Sequence, residues 1–285
     1  MTNTIELVFP QWQGGMNPNY ILGAELMKVI VPHSPQTEII NVPVSKVPHQ
    51  NEKMFDEQEL LIKQLITAKT ILETKQPTRV ITVGGDCSTS LAAFDYLNGY
   101  YHGKLGVLWL DAHPDISTPA ESRHLHEMVV SSLLGRGAPA IQKYLDHPFS
   151  NTQFLMAGLV EKSLRQMDKN VHRYHIKYLT PQQLQPENQG IVDWIKNNHF
   201  SAVAVHLDLD VFSPKVFRSI YPAEPGTKVE EFPAAVGELD FHQVFGLLRS
   251  VEAATPINGF TIAEHMPWDA INLQNNLAKL TVFNQ

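Results

Sequence analysis

Short apolar runs that break off on polar clusters recur along this chain, most of them separated by a stretch of helical periodicity, and this alternation restricts the fold more than any other feature. The runs that predict strands cover 5–9, 37–42, 79–83, 105–110, 153–157, 171–174, 202–207 and 259–263. Helical patterns fall at 52–74, 88–97, 127–134, 181–198, 240–253 and 268–280. Parallel strands need a crossover element between them, so the alternation predicts an α/β fold with a doubly wound, mostly parallel sheet. The sequence shows no repeat, low-complexity tract or linker-like shift in composition, and residues 1–285 therefore read as one domain. The irregular stretch 211–233, with its prolines and charges, is long enough to predict a functional loop.

Chemistry concentrates where three of these runs stop. Leu108-Trp109-Leu110 ends on Asp111, His113 and Asp115, three metal-ligand types at alternate positions. The run 202–207 ends on Asp208 and Asp210, two carboxylates one residue apart, and the run 79–83 leads into Gly84-Gly85-Asp86-Cys87-Ser88. One Asp after a strand is commonly a turn former or a helix cap. Three strand ends carrying acids, a His and a thiol are better explained by a metal site at the carboxyl edge of an open sheet, where such folds place their ligands.

The succession of GGDCS, DAHPD, HLDLDVFSP and AEHMPWD resembles the arginase/agmatinase (ureohydrolase) family, whose patterns are GGDHS, DAHxD, SxDxDxxDP and a late strand end bearing Glu. The likeness runs in order from about residue 80 to 269, and DAHxD with a downstream DxD is its specific part. It implies a three-layer α/β/α architecture with about eight strands, and two Mn²⁺ ions. Asp111 and Asp208 would bridge the ions, Cys87 and Asp115 would complete one site, and His113 and Asp210 the other. The implied reaction is hydrolysis of a C–N bond in a small linear guanidino or formimino compound by water activated between the ions. Asp115 would orient the nucleophile, Asp210 would accept and pass on a proton, His126 would assist proton traffic, and Glu264 would hold the substrate cation. Homo-oligomers, trimers or hexamers, are the family's expectation.

The chain also departs from these patterns. Cys87 stands where the family has His; its thiolate adds a negative charge and shifts preference from Mn²⁺ towards Zn²⁺ or Fe²⁺. An unusual complete pair, occupancy of the His113 site alone, an empty cluster and a merely buried thiol are the open outcomes. Ser213 replaces an acid, the strand end at 157–161 lacks an Arg, and Ser163 stands where arginases read an α-amino group, which together weaken arginine as substrate. A catalytically silent relative that binds a ligand or partner is the alternative function. His124, His206 and His265 add imidazoles near the same strand ends, two of which read as supporting groups rather than ligands.

Composition narrows the partners. A net charge of -7 argues against nucleic acid and anionic membranes, which call for a basic stripe. The first residues have no basic segment followed by an apolar one, no apolar run approaches bilayer length, and the single cysteine excludes an internal disulfide. A cytoplasmic location is the expectation, and 43% hydrophobic residues suffice for a large core.

Overall fold

The structure is a computed structural model that describes residues 3–48, 54–184 and 189–283. Its strands are β1 (Thr4–Phe9), β2 (Glu38–Asn41), β3 (Arg79–Gly84), β4 (Leu105–Leu110), β5 (Phe154–Ala157), β6 (Lys177–Leu179), β7 (Ala202–Asp208) and β8 (Ile257–Ala263). They form one all-parallel sheet in the order β2-β1-β3-β8-β7-β4-β5-β6. The helices are α1 (Asn19–Ile30), α2 (Gln58–Lys75), α3 (Ser90–Tyr100), α4 (Val129–Leu133), α5 (Pro139–Gln142), α6 (Asn170–Arg173), α7 (Gln189–Asn197), α8 (Phe241–Ala254) and α9 (Trp268–Leu277).

The central strands β4 and β7 are buried along their whole length because helices cover both sides of the sheet. On one face Ile5, Leu7, Val107 and Trp109 pack with Leu61 and Leu65 of α2, Phe94 of α3 and Ile141 of α5. On the other, Val83, Leu108, Val203 and Val205 pack with Met27 of α1, Trp194 of α7 and Leu247 of α8. Helix α9 closes a smaller cluster of Trp12, Tyr20, Met266 and Trp268. The three-layer α/β/α expectation is met, and no helix among the described residues is long and apolar enough to cross a membrane.

Four local expectations change. The run 171–174 is helical, as α6, and the strand lies later, at Lys177–Leu179. Val171 and Tyr174 are both buried at a spacing of three, a helical period that their β-favouring side chains disguise. The pattern 52–74 becomes Gln58–Lys75; Glu57 sits in the left-handed region at φ 55°, and residues 52–53 lie outside the described residues. The pattern 181–198 splits into a 3₁₀ turn at Pro181–Gln183 and α7, with 185–188 outside the described residues. Helix α1 was not anticipated, because Gly23 interrupts its stripe and Val29 and Ile30 are exposed.

This topology decides where a site can form. Strands β3, β8, β7 and β4 are neighbours, so the chain segments leaving their carboxyl ends meet in one crevice. At Gly85 a side chain is impossible: a Cβ there would fall 1.7 Å from the carbonyl oxygen of Gln11, and the close approach brings the segment after β1 against the one after β3.

Candidate metal centre and substrate cavity

Each strand end holds its acids with its own backbone. Past β4, Asp111 accepts from the His113 amide at 2.7 Å and from Trp109 Nε1 at 3.0 Å, which fixes both carboxylate oxygens. Past β7, Asp208 accepts from the Asp210 amide at 2.7 Å, turning the chain so that both acids face β4. His113 Nδ1 then lies 3.1 Å from Asp210 and 3.4 Å from Asp111. Asp86, by contrast, is spent on structure: it accepts from the Gly14 and Ser88 amides and from the Ser88 hydroxyl.

Cys87 and Glu264 join this cluster from β3 and β8. The Cys87 thiol donates to Asp208 at 3.0 Å and approaches Glu264 at 3.4 Å. Glu264, at φ 62°, also takes His126 Nδ1 on Oε1 at 2.9 Å and the Tyr20 hydroxyl on Oε2 at 2.7 Å. Donor atoms fall within 4.8 Å of one another in the sets Asp111/His113/Asp210, Asp208/Asp210/Glu264, Cys87/His126/Glu264 and Cys87/Asp111/His206/Asp208. Asp115 belongs to none of these sets among the described residues, although it is buried beside them, at φ 44°, with Oδ2 unpartnered. Its charge is nonetheless the first of the acidic neighbours that act on the Cys87 thiol, so it lies close to that group.

Crowding acids away from water shifts them strongly. Burial, and then the charge of Asp210, lift the Asp111 carboxyl to about 7. Burial followed by acidic neighbours raises Asp115, Asp208 and the Cys87 thiol well above their ordinary values. For His126, burial opposes the charge, yet its hydrogen bond to Glu264 and that residue's charge raise it to about 10. Burial lowers His206 to about 3, so its ring is neutral.

A cavity of about 570 Å³ opens onto this cluster, with Cys87, His113, Asp115, Asp208, Asp210 and Glu264 in its lining. Tyr20, His126, Tyr221, Phe232 and Trp268 supply its aromatic and imidazole wall, and Tyr221 and Phe232 come from the loop at 211–233. Arg165, also in the lining, is committed to Glu127 at 2.6 Å and Asp168 at 2.9 Å. Ser213 accepts from the Lys215, Val216 and Phe217 amides of its own turn, and His265 binds the Gly23 carbonyl. Sequence reasoning missed Tyr20, which lies in an unanticipated helix and in no motif; His206, two residues before Asp208 on the same strand, joins one of the donor sets.

A model of the arginase family matches residues 16–256. The arginase of Staphylococcus aureus (strain COL) is 23% identical over 184 residues, 59% of this chain and 61% of that protein, so the match spans less than two thirds of that relative's length. Among solved structures, arginase from Bacillus caldovelox superposes with a TM-score of 0.75 at 19% identity, covering 94% of this chain and 92% of the other. Formimidoylglutamase from Bacillus subtilis gives 0.65 at 13%, covering 93% and 78%. With the family's match extending over most of its length, from α1 to the start of β8, the chain belongs to the arginase family.

Proposed function

We propose that the protein is a metal-dependent hydrolase of a C–N bond in a small linear guanidino or formimino compound. The observation that carries this reading is the meeting of Asp115, Asp208, Asp210 and Glu264 at one cavity, with Asp111 in two of the donor sets beside it. The residues fit divalent ions: His113 Nε2, Asp115 Oδ2 and Asp210 Oδ1 are buried without any hydrogen-bond partner, and so many desolvated acids call for a compensating cation. Asp111, His113, Asp208 and Asp210 would hold one ion, and Cys87 with the shared Asp111 and Asp208 a second, with Asp115 alongside. When bound, two divalent ions supply the charge that makes water nucleophilic near neutral pH and offset negative charge developing on the substrate.

The remaining work falls to side chains. Glu264 accepts from the N–H groups of a planar amidinium, a pairing favoured by its placement away from water. Tyr20 and His126 hold the carboxylate from two sides, which limits its rotation. The unpartnered Oδ1 of Asp210 takes the proton that the attacking oxygen gives up as it bonds to the amidino carbon and passes it to the amine as the C–N bond breaks, with His126, cationic near neutral pH, assisting that transfer. Tyr221, Phe232 and Trp268 give the cavity an aromatic wall on which the apolar part of a small substrate can rest. Homo-oligomeric assembly and a cytoplasmic location belong to the same reading, the first drawn from the family and the second from the sequence.

The test is a screen of guanidino and formimino compounds on Mn²⁺-, Zn²⁺- and Fe²⁺-loaded protein, scoring urea, ammonia and formamide. Binding without turnover is the second reading, favoured by Cys87 and by Ser213, which lies outside the cavity lining; absence of any bound transition metal would support it. Glu264→Gln is expected to weaken a guanidino ligand by about 2 kcal/mol, roughly 30-fold in Kd, while metal content stays level. Loss of metal in that variant would instead make Glu264 a ligand of the ions, as its closeness to Asp208 and Asp210 allows.

A further inference from the structure

Cys87 is not the only unusual donor at the centre: a buried histidine, outside every role assigned above, stands directly across from it. His206 and Asp208 are two residues apart on β7 and so share a face of the sheet, and the register sets His206 beside Trp109 of β4, two residues before Asp111. The imidazole stacks on the Trp109 ring at 3.7 Å with 11° between planes, and Ser90 Oγ lies 2.8 Å from Nδ1. These contacts fix the ring's position and rotation. Nε2 is left without a partner in a residue that is 0% exposed. A ring nitrogen of His206 lies within 4.8 Å of the Cys87 sulfur and of oxygens of Asp111 and Asp208.

A buried imidazole nitrogen with nothing to bind costs about 1–3 kcal/mol, and a histidine that served only to fill space against Trp109 would give no return for that cost. The arrangement has the features of a ligand instead: one nitrogen is held by a hydroxyl, the other is unpartnered, and the ring lies among three donors. Given the metal-dependent reading above, on which this step rests, we propose that His206 Nε2 is a metal ligand, forming with Cys87, Asp111 and Asp208 a four-donor site of one sulfur, one nitrogen and two carboxylates. The chain thus carries its imidazole two residues before Asp208 rather than directly after Gly-Gly-Asp, and the site keeps a nitrogen donor despite the cysteine. Such a set favours Zn²⁺, Co²⁺ or Fe²⁺ over Mn²⁺. It also releases Asp115 from ligation, consistent with its place outside the donor sets.

Cobalt titration of the full chain tests this, because a cobalt–thiolate bond has its own absorption and reports the Cys87 site without any turnover. The wild type is expected to show the thiolate band and Cys87→Ser to lose it. His206→Phe keeps the stack on Trp109 and should weaken cobalt at the thiolate-reporting site by more than about 100-fold, leaving the His113 site filled; Ser90→Ala should weaken it roughly 10- to 100-fold, as expected for a group that orients a ligand. Zinc-edge X-ray absorption on the unmodified protein gives a reading that does not depend on a variant folding: sulfur at about 2.3 Å and imidazole scattering from both His113 and His206 across two zinc ions. A folded His206→Phe with unchanged affinity, or scattering from a single imidazole, overturns the assignment of His206 and leaves the hydrolase reading standing. A wild type that takes up no metal overturns both.

Discussion

Asp208→Asn will strip the protein of metal. Asp208 is shared between the donor set containing Cys87 and the one containing Asp210, so a single substitution removes charge from both positions. Its Oδ1 already accepts from the Asp210 amide, and Oδ2 is the oxygen nearest the Cys87 sulfur. An amide keeps that turn only by presenting its NH₂ to the place where a cation would sit. The expected loss exceeds about 100-fold in affinity, beyond the effect of disturbing an outer contact. The fold should survive, since Asn also removes a buried charge that burial and the neighbouring Asp210 make costly in the metal-free protein. Asp111→Asn should lose metal as well but with damage to the fold, because Asp111 accepts on both oxygens and an amide offers one. Elemental analysis with thermal melting measures both effects; unchanged metal content in both variants would mean that the cluster is not the metal centre.

Removing the metal should invert the protein's dependence on pH. In the metal-free protein the carboxyls of Asp111, Asp115 and Asp208 are raised, first by burial and then by their acidic neighbours. A carboxyl whose folded pKa lies above its unfolded value of about 4 contributes stability that is complete below that value. The contribution is lost as pH rises through the folded pKa, which for Asp111 is about 7. His113 acts in the same sense: burial disfavours its charge, but Asp210 and Asp111 raise it overall, so its contribution also falls with rising pH. Asp210 is lowered, burial being outweighed by His113, and its opposite contribution disappears only on acidification below about pH 4. Chelator-treated protein should therefore melt several degrees lower at pH 8 than at pH 5, a change on the order of a few kcal/mol. Metal-loaded protein should show the reverse, since its ligands must be deprotonated and affinity grows with pH. Melting curves that do not cross would remove the cations from the account of these acids.

The parts of the fold and site that could be read from sequence are the local ones. The runs ending at Leu110 and Asp208 declare themselves because a buried strand is apolar throughout and the acids follow without a gap. That Asp111, His113 and Asp210 belong together was legible only through the family resemblance, since it depends on β4 lying beside β7. Contacts that depend on packing were not legible. Tyr20 reaches Glu264 across 244 residues from a helix whose stripe is too broken to recognise. The pairing of His206 with Cys87 depends on β3 and β7 each lying beside β8, an order that no motif encodes. The left-handed backbone of Asp115 was not legible either, because spacing says nothing about the sign of φ. The exchange of 171–174 for a later strand shows the limit from the other direction: Val and Tyr favour strands in general, and burial at a spacing of three overrides the preference.

The hydroxyl that Tyr20 offers to Glu264 has a consequence for the start of the chain. Helix α1 is seated on the segment after β8 twice more, with Gly23 so close to the His265 carbonyl that a Cβ would fall 1.8 Å from it, and with His265 Nδ1 3.1 Å from the Gly23 oxygen. The docking of α1 and the state of Glu264 therefore form a single linked equilibrium, and linkage is reciprocal. A ligand that draws Glu264 away from Tyr20 loosens α1 by as much as loosening α1 favours that ligand. Amide exchange along residues 19–30 becomes a gauge of occupancy at the acids, legible in the backbone of a helix that supplies none of them.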